Sequence, residues 1–376
     1  MTPGDLRWMD AALALGRRGQ GRCAPNPAVG CVIVAEGRVV GRGRTADGGR
    51  PHAETAALAQ AGAAARGATA YVTLEPCAHQ GRTPPCADAL VAAGIARCVI
   101  ALSDPDPRVA GRGIARLRAA GIAVTTGVRE YEARRDHAPF LTRLAEGRPR
   151  VTLKLAFSLD GRIATASGES RWITGPEARR HVHALRLAHD AVLVGAGTAR
   201  ADDPDLSVRG LGDVPQPVRA VVSRRLDLDP ASRLGRSARA VPVWLIHGAA
   251  APEAQRSAWA SVGARLIEVG GPRGSVMPLD AVLRALGEGG INAVLVEGGG
   301  SLAAGLLAAD LVDEIAAFTA GLALGAEGRP GIGALGLDAL AGAPRFRLSD
   351  VRRVGADVLH RWTRPDAPLR PDAPAP

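Results

Sequence analysis

One imidazole and two thiols, His52, Cys77 and Cys86, constrain this chain more than any other group of its residues. They stand in Pro51-His52-Ala53-Glu54, Glu75-Pro76-Cys77 and Pro84-Pro85-Cys86, with eight residues between the two cysteines. One imidazole and two thiolates supply three ligands to a zinc ion and leave the fourth tetrahedral position for water. Thiolates balance the charge of the cation, which still draws the pKa of that water towards neutrality. His52 opens one predicted helix and Cys86, just after Pro-Pro, opens another; helix N-termini favour the thiolate form. Glu54, in the first turn of its helix, is the one candidate catalytic residue. It can take a proton from the water and pass it to a ring nitrogen and then to a leaving amine. Zinc deaminases carry a His-x-Glu, in which the Glu is not a ligand, followed by Pro-Cys-x-x-Cys; here the two cysteines stand farther apart than in that motif. The bland alternative is a set of unrelated core and surface residues.

The surrounding periodicities describe an α/β layered domain. Asp5 is expected to cap an amphipathic helix to Leu15, and Val29 to Ala35 reads as a buried strand. After a Gly-rich loop, Ala53 to Ala65 is helical, Ala70 to Leu74 a strand, Ala87 to Ala93 a helix and Cys98 to Leu102 a strand. The alternation continues through 114–120 and 122–128, and a helix from Glu130 to Ala145 ends at Gly147. Arg148-Pro149 marks a junction, so the expected domains are 1–147 and 148–365. The second half carries strands at 151–157, 191–194, 218–222, 241–246 and 292–296, with helices at 176–187, 279–286 and 301–309. It too is α/β. The Pro/Ala tail 366–376 is expected to be unstructured.

Composition excludes several classes. No apolar run is long enough to cross a bilayer, and Asp5, Arg7 and Asp10 near the start do not suit a secretory signal, so a cytoplasmic protein with no membrane partner is expected. The five cysteines, an odd number, all lie before residue 100, which argues for metal or catalytic use over a disulfide framework. Cys23, Cys31 and Cys98 lack ligand spacing and read as ordinary buried thiols. A net charge of +10 invites a nucleic-acid partner. The cations are scattered, however, and 46 of the 47 are Arg, a skew that fits codon composition, so no nucleic acid is expected. Guanidinium groups suit small phosphorylated molecules equally well. The exception is Lys154, a point charge where Arg is written almost everywhere else, which singles it out for orienting a sugar or donating a proton.

In the second half, Gly298-Gly299-Gly300 follows an apolar strand and precedes a helix, as a phosphate-approaching turn does; a plain tight turn fits as well. Gly195 to Thr198 has the same character.

Taken together, the segments Pro25-Asn26-Pro27-Ala28-Val29-Gly30, His52-Ala53-Glu54, the run 75–86, Asp104-Pro105-Asp106-Pro107-Arg108-Val109 and Gly111-Arg112-Gly113 resemble the bifunctional riboflavin-biosynthesis deaminase/reductase family. The resemblance continues through Val151-Thr152-Leu153-Lys154, 158–164, Ser170-Arg171-Trp172-Ile173-Thr174-Gly175, 194–198, 201–206 and 296–300, so it covers residues 5 to 363. It implies a cytidine-deaminase-like three-layer domain followed by a dihydrofolate-reductase-like α/β domain, one Zn2+ per chain, NADPH, and a homodimer. The implied reactions are deamination of 2,5-diamino-6-ribosylamino-4(3H)-pyrimidinone 5′-phosphate, then reduction of its ribosyl group, giving 5-amino-6-ribitylaminouracil 5′-phosphate. The small phosphorylated pyrimidine is expected on Asn26, Lys154, Ser170, Arg186, Leu206, Arg209 and Glu297, with Arg186 and Arg209 at the ribose phosphate. NADPH is expected on Ala156, Trp172, Thr198, Asp202, Gly299 and Gly300. His79 reads equally as a substrate contact and as a loop-ordering residue, and Asp160 as a turn-ordering one. Thr45, Asp106 and Arg171 stand where many members carry His, Asn and Lys. The rival functional reading is a tRNA-type nucleic-acid deaminase with a second domain that is not a reductase. A zinc ion that only stabilises the fold is another.

Overall fold

The computed structural model describes residues 2–80, 84–106, 109–270 and 277–365. Gly81, Arg82, Thr83, Pro107 and Arg108 of the family-like segments, and the tail 366–376, lie outside the described residues. Two compact units part between Glu146 and Gly147.

The first unit runs α1 (Pro3–Arg17), β1 (Gly30–Ala35), β2 (Arg38–Arg44), α2 (Ala53–Ala61), β3 (Thr69–Val72), α3 (Cys86–Ala92), β4 (Arg97–Ile100), α4 (Arg112–Ala119), β5 (Ala123–Thr126), α5 (Glu130–Asp136) and α6 (Ala138–Glu146). Its sheet has the order β2-β1-β3-β4-β5; β1 is antiparallel to both neighbours and β3, β4 and β5 are parallel. Met9, Leu13, Ile33, Leu90, Ile100 and Leu117 fill the core between sheet and helices. Three sequence expectations need correction. Thr2, not Asp5, caps α1, because Pro3 takes the first helical position. Asp5 completes a capping box, accepting from the Thr2 N–H at 2.8 Å. The Gly-rich stretch after Ala35 is strand β2, whose glycines admit α2: a Cβ on Gly41 would lie 2.2 Å from the Ala57 carbonyl oxygen, and one on Gly43 2.4 Å from that of Ala53. The single helix expected from Glu130 is two, parted at His137, whose buried ring sits 3.1 Å from the Thr73 hydroxyl.

The second unit runs β6 (Arg150–Ser158), β7 (Arg162–Ala164), α7 (Pro176–Leu187), β8 (Ala191–Gly195), α8 (Ala196–Asp202), β9 (Val218–Val222), α9 (Arg233–Arg236), β10 (Val243–His247), α10 (Glu253–Ser261), β11 (Arg265–Glu268), α11 (Leu279–Glu288), β12 (Ala293–Val296), α12 (Gly300–Ala308), β13 (Glu314–Ala320), β14 (Arg329–Pro330), β15 (Arg347–Val354) and β16 (Asp357–Thr363). A nine-stranded sheet has the order β11-β10-β9-β8-β12-β6-β13-β16-β15, parallel from β11 to β13 and antiparallel beyond it. The inner strands β8 and β12 are nearly continuous buried aliphatics, as a parallel sheet covered on both faces requires, while β9 and β10 bury Arg219, Trp244 and His247 among theirs. Sequence periodicity leaves the strands after Ala309 unassigned. There β15 reads Arg-Leu-Ser-Asp-Val-Arg-Arg-Val and is mostly exposed, so it lacks a continuous apolar run. Loops at the ends of the parallel strands are where ligand-binding groups collect in such sheets. Among the described residues no helix is long and apolar enough to cross a membrane.

Candidate metal centre and reductase site

The metal centre grows from two helix starts and one loop. His52 is the N-cap of α2, Glu54 lies in its first turn, and Cys86 is the first residue of α3, with Pro85 as its N-cap. Cys77 follows the end of β3 and accepts a hydrogen bond from the Cys86 N–H at 3.3 Å. The ligand atoms of His52, Cys77 and Cys86 all lie within 4.8 Å of one another. The His52 Nδ1 is 3.3 Å from the Cys86 Sγ and 3.8 Å from the Cys77 Sγ. Hydrogen bonding from Cys86 holds the Cys77 thiol down at about 4, and that same bond, with burial, pushes Cys86 well up. One nitrogen and two soft sulfurs at converging distances form a donor set that fits zinc.

Glu54 is 4% exposed, and burial raises its carboxyl to about 7. A carboxyl near neutrality beside three metal-ligand atoms is suited to taking up and releasing a proton. The Asn26 amide donates to the Gly49 carbonyl at 2.7 Å and lies 3.4 Å from the His52 Nε2, so it belongs to the same site. His79 has a buried Nδ1 with no hydrogen-bond partner among the described residues. Thr45 turns inward, accepting from the Val29 N–H and donating to the Pro27 carbonyl, and so orders the 27–29 loop.

Glu75 was part of the quoted motif but carried no expected role. Its carboxylate accepts four backbone N–H bonds, from Asp104, Gly111, Gly113 and Ile114. It thereby fixes the start of α4 and the loop before it. No local pattern marks such a residue, because all its partners lie about thirty or more residues away.

In the second unit Lys154 and Ala156 lie on β6, Thr198 and Asp202 on α8 after β8, Glu297 to Gly300 follow β12, and Arg186 is on α7. Lys154, on β6, is half-buried; burial lowers its pKa, with Glu297 opposing and Arg186 adding to the effect. Arg186 forks onto Glu297, Nε to Oε1 at 2.6 Å and Nη2 to Oε2 at 3.0 Å, and its Nη1 donates to the Ser207 carbonyl at 2.8 Å. Three of the five guanidinium N–H bonds are therefore engaged within the protein, which leaves two for a phosphate. Arg209 is exposed, and its guanidinium has no hydrogen-bond or ion-pair partner among the described residues. Leu206 is buried at φ 62°.

The two glycine-bearing turns meet: the Gly299 N–H, at the N-cap of α12, donates to the Thr198 hydroxyl at 3.1 Å. Gly300 opens α12, Ala156 is half-buried on β6, and Asp202 ends α8 exposed. Ser170 and Trp172 lie in the loop before α7. The Trp172 ring, 68% exposed, carries the Arg179 guanidinium 4.4 Å from its centre. Beside it opens a cavity of about 540 Å3 lined by Trp172, Gly175, Arg179, Leu322 and Asp357. Asp160 accepts from the backbone of Leu324 and Gly325, so it orders a turn. Arg179 and His183 carry no motif of their own, although His183 sits one helical turn from Arg186 on α7.

Comparison with known proteins follows the same division. The family "Cytidine and deoxycytidylate deaminase zinc-binding region" matches residues 3–102, and "RibD C-terminal domain" matches 149–360. The riboflavin biosynthesis protein RibD of Escherichia coli K12 is 43% identical over 369 residues, covering 95% of this chain and 98% of the relative. Acinetobacter baumannii RibD superposes with a TM-score of 0.86 at 40% identity, over 96% of this chain and 98% of that one. The diaminohydroxyphosphoribosylaminopyrimidine deaminase/5-amino-6-(5-phosphoribosylamino)uracil reductase of Thermotoga maritima does so with 0.84 at 34%, over 96% and 99%.

Proposed function

This chain belongs to the RibD family of bifunctional riboflavin-biosynthesis enzymes, and from that premise we propose that residues 1–147 carry its deamination and residues 148–365 its reduction. The first reaction replaces the 2-amino group of 2,5-diamino-6-ribosylamino-4(3H)-pyrimidinone 5′-phosphate by oxygen, consuming water and releasing ammonia. The second reduces the ribosyl group to ribityl. The observation that carries the reading is the meeting of His52, Cys77 and Cys86 ligand atoms beside the buried Glu54.

His52, Cys77 and Cys86 hold the zinc, which when bound activates water as a nucleophile near neutral pH. Glu54 removes the proton from the attacking water, delivers one to the ring nitrogen, and then protonates the departing amine. Asn26 orients the pyrimidine. In the reductase half Ala156, Trp172, Thr198, Asp202, Gly299 and Gly300 would hold NADPH, which when bound would supply the hydride. The Thr198–Gly299 hydrogen bond supports this placing, since it brings the two glycine-bearing turns together at the N-terminus of α12. Arg209 takes the substrate phosphate, together with the unengaged edge of Arg186. Glu297 and Lys154 face the sugar, with Ser170 and Leu206 as further substrate contacts. A homodimer in the cytoplasm completes the proposal, and sedimentation of the purified chain tests its oligomeric half.

The deciding experiment supplies the diaminopyrimidinone phosphate with NADPH and follows ammonia release and cofactor oxidation together. Both are expected, in that order. Deamination of an oligonucleotide with steep salt dependence, and no NADPH consumption, would replace this reading by the tRNA-type one. Glu54→Gln is expected to lower ammonia release by roughly 10²–10⁴-fold while metal content is unchanged.

A further inference from the structure

The segment that carries Leu206 and Arg209 is irregular, yet three successive residues of it are tied down. The Ser207 carbonyl accepts from Arg186 at 2.8 Å. Val208 is held by the Gln216 amide on both its N–H and its carbonyl, at 2.7 and 3.2 Å. The Arg209 N–H donates to the His183 Nδ1 at 3.1 Å. His183 and Arg186 lie one turn apart on α7, so a single helix face grips the segment on either side of Val208. Backbone fixed at 207, 208 and 209 leaves the Arg209 side chain as the part free to meet a ligand.

We propose that His183 is a positioning residue of the reductase: by accepting the Arg209 N–H it holds that guanidinium where the substrate's phosphate docks. This rests on the reading of Arg209 as a phosphate contact. The hydrogen bond needs an unprotonated Nδ1, because a doubly protonated imidazole has no acceptor. The groups facing His183 are Arg186 on its own helix, Arg209 on the segment it holds and Glu297 at the end of β12. Burial, then the two arginines, keep its pKa below the ordinary histidine value, with Glu297 and a hydrogen bond to the Ser207 backbone opposing. At neutral pH the ring therefore accepts. As the pH falls it becomes a donor, and the N–H of Arg209 loses its partner.

The test measures reductase KM and kcat of the full chain with the deaminated ribosylamino substrate, across pH, for His183→Ala, His183→Gln and Arg209→Ala. Thermal unfolding of each variant, followed by circular dichroism, serves as the check that the second unit is folded. His183→Ala is expected to raise KM roughly fivefold at neutral pH, the worth of one net hydrogen bond, with little change in kcat. His183→Gln, whose carbonyl accepts but does not titrate, is expected to restore KM and to flatten the rise in KM expected of the unmodified enzyme on the acid side. Arg209→Ala is expected to raise KM by more than either. If Arg209→Ala raises KM and His183→Ala does not, or changes kcat alone, the positioning role is overturned and the phosphate reading survives. An unchanged KM in Arg209→Ala would overturn both. An acid limb in His183→Gln identical to that of the parent would remove the imidazole from the account, since the substrate phosphate then titrates alone.

Discussion

His137 is a buried imidazole whose Nδ1 has no hydrogen-bond partner among the described residues, and burial holds its pKa down at about 4. In the unfolded chain the ring returns to its ordinary value near 6.5. Between these values the unfolded chain binds a proton that the folded one refuses, so stability falls as the pH drops from about 6.5 to 4. The full loss is about 3 kcal/mol. Urea unfolding across that range is expected to show the slope, and His137→Phe to reduce it. A second residue pair makes a different point. Arg148 and Asp313 are both nearly buried and meet at 2.7 and 2.9 Å, and the same carboxylate accepts the Val151 N–H. Asp313→Ala strands a guanidinium away from water and is expected to lower unfolding free energy by about 3–5 kcal/mol. Double replacement of Arg148 and Asp313 by apolar residues is expected to cost far less, because no charge is then left unpaired.

At the scale of elements, the metal centre depends on how closely α2 approaches β2. Two helix carbonyls sit where the side chains of residues 41 and 43 would start, and α2 carries both His52 and Glu54 at its N-terminal end. Gly43→Ala is therefore expected to push the helix off the sheet, costing about 1–3 kcal/mol in stability. It should also loosen zinc, since sub-ångström displacement of a ligand-bearing helix start spoils tetrahedral closure. Thermal unfolding and metal content after dialysis check the two halves of that prediction. If stability falls but zinc is fully retained, the helix has relaxed without moving its first turn. The same contact explains why the stretch reads as a loop in one dimension: glycine marks both flexibility and close approach, and only the partner tells them apart.

For the whole molecule, the two units divide the chemistry. The candidate metal ligands His52, Cys77 and Cys86 and the carboxyl of Glu54 lie before residue 147, and the residues proposed for NADPH lie after it. Removal of zinc by a chelator is expected to abolish ammonia release while leaving NADPH-dependent reduction of the deaminated intermediate intact. Parallel assays of the two products check this, and loss of both activities together would show that the units do not act independently. Arginine is spread over both units, and some of it is paired with carboxylates, as at Arg17–Asp136, Arg97–Asp5 and Arg186–Glu297.

Much of this was legible in one dimension. The α/β alternation, the buried strands β1, β8, β9 and β12, the helix Pro176–Leu187 and the set His52, Glu54, Cys77 and Cys86 all carry local signals: apolar periodicity, capping, and ligand types in a known order. Other features had none. Strand β2, the division at His137, the four-fold grip of Glu75 on the α4 loop, the fork of Arg186 on Glu297 and the hold of His183 on Arg209 are contacts between residues distant in the chain or choices made by packing. Residue types and their spacing determined which chemistry the chain contains, because a thiolate or an imidazole brings its reactivity with it. Which groups are desolvated, paired or left free to meet a ligand was decided only when the sheets closed, since burial and distance exist only in three dimensions.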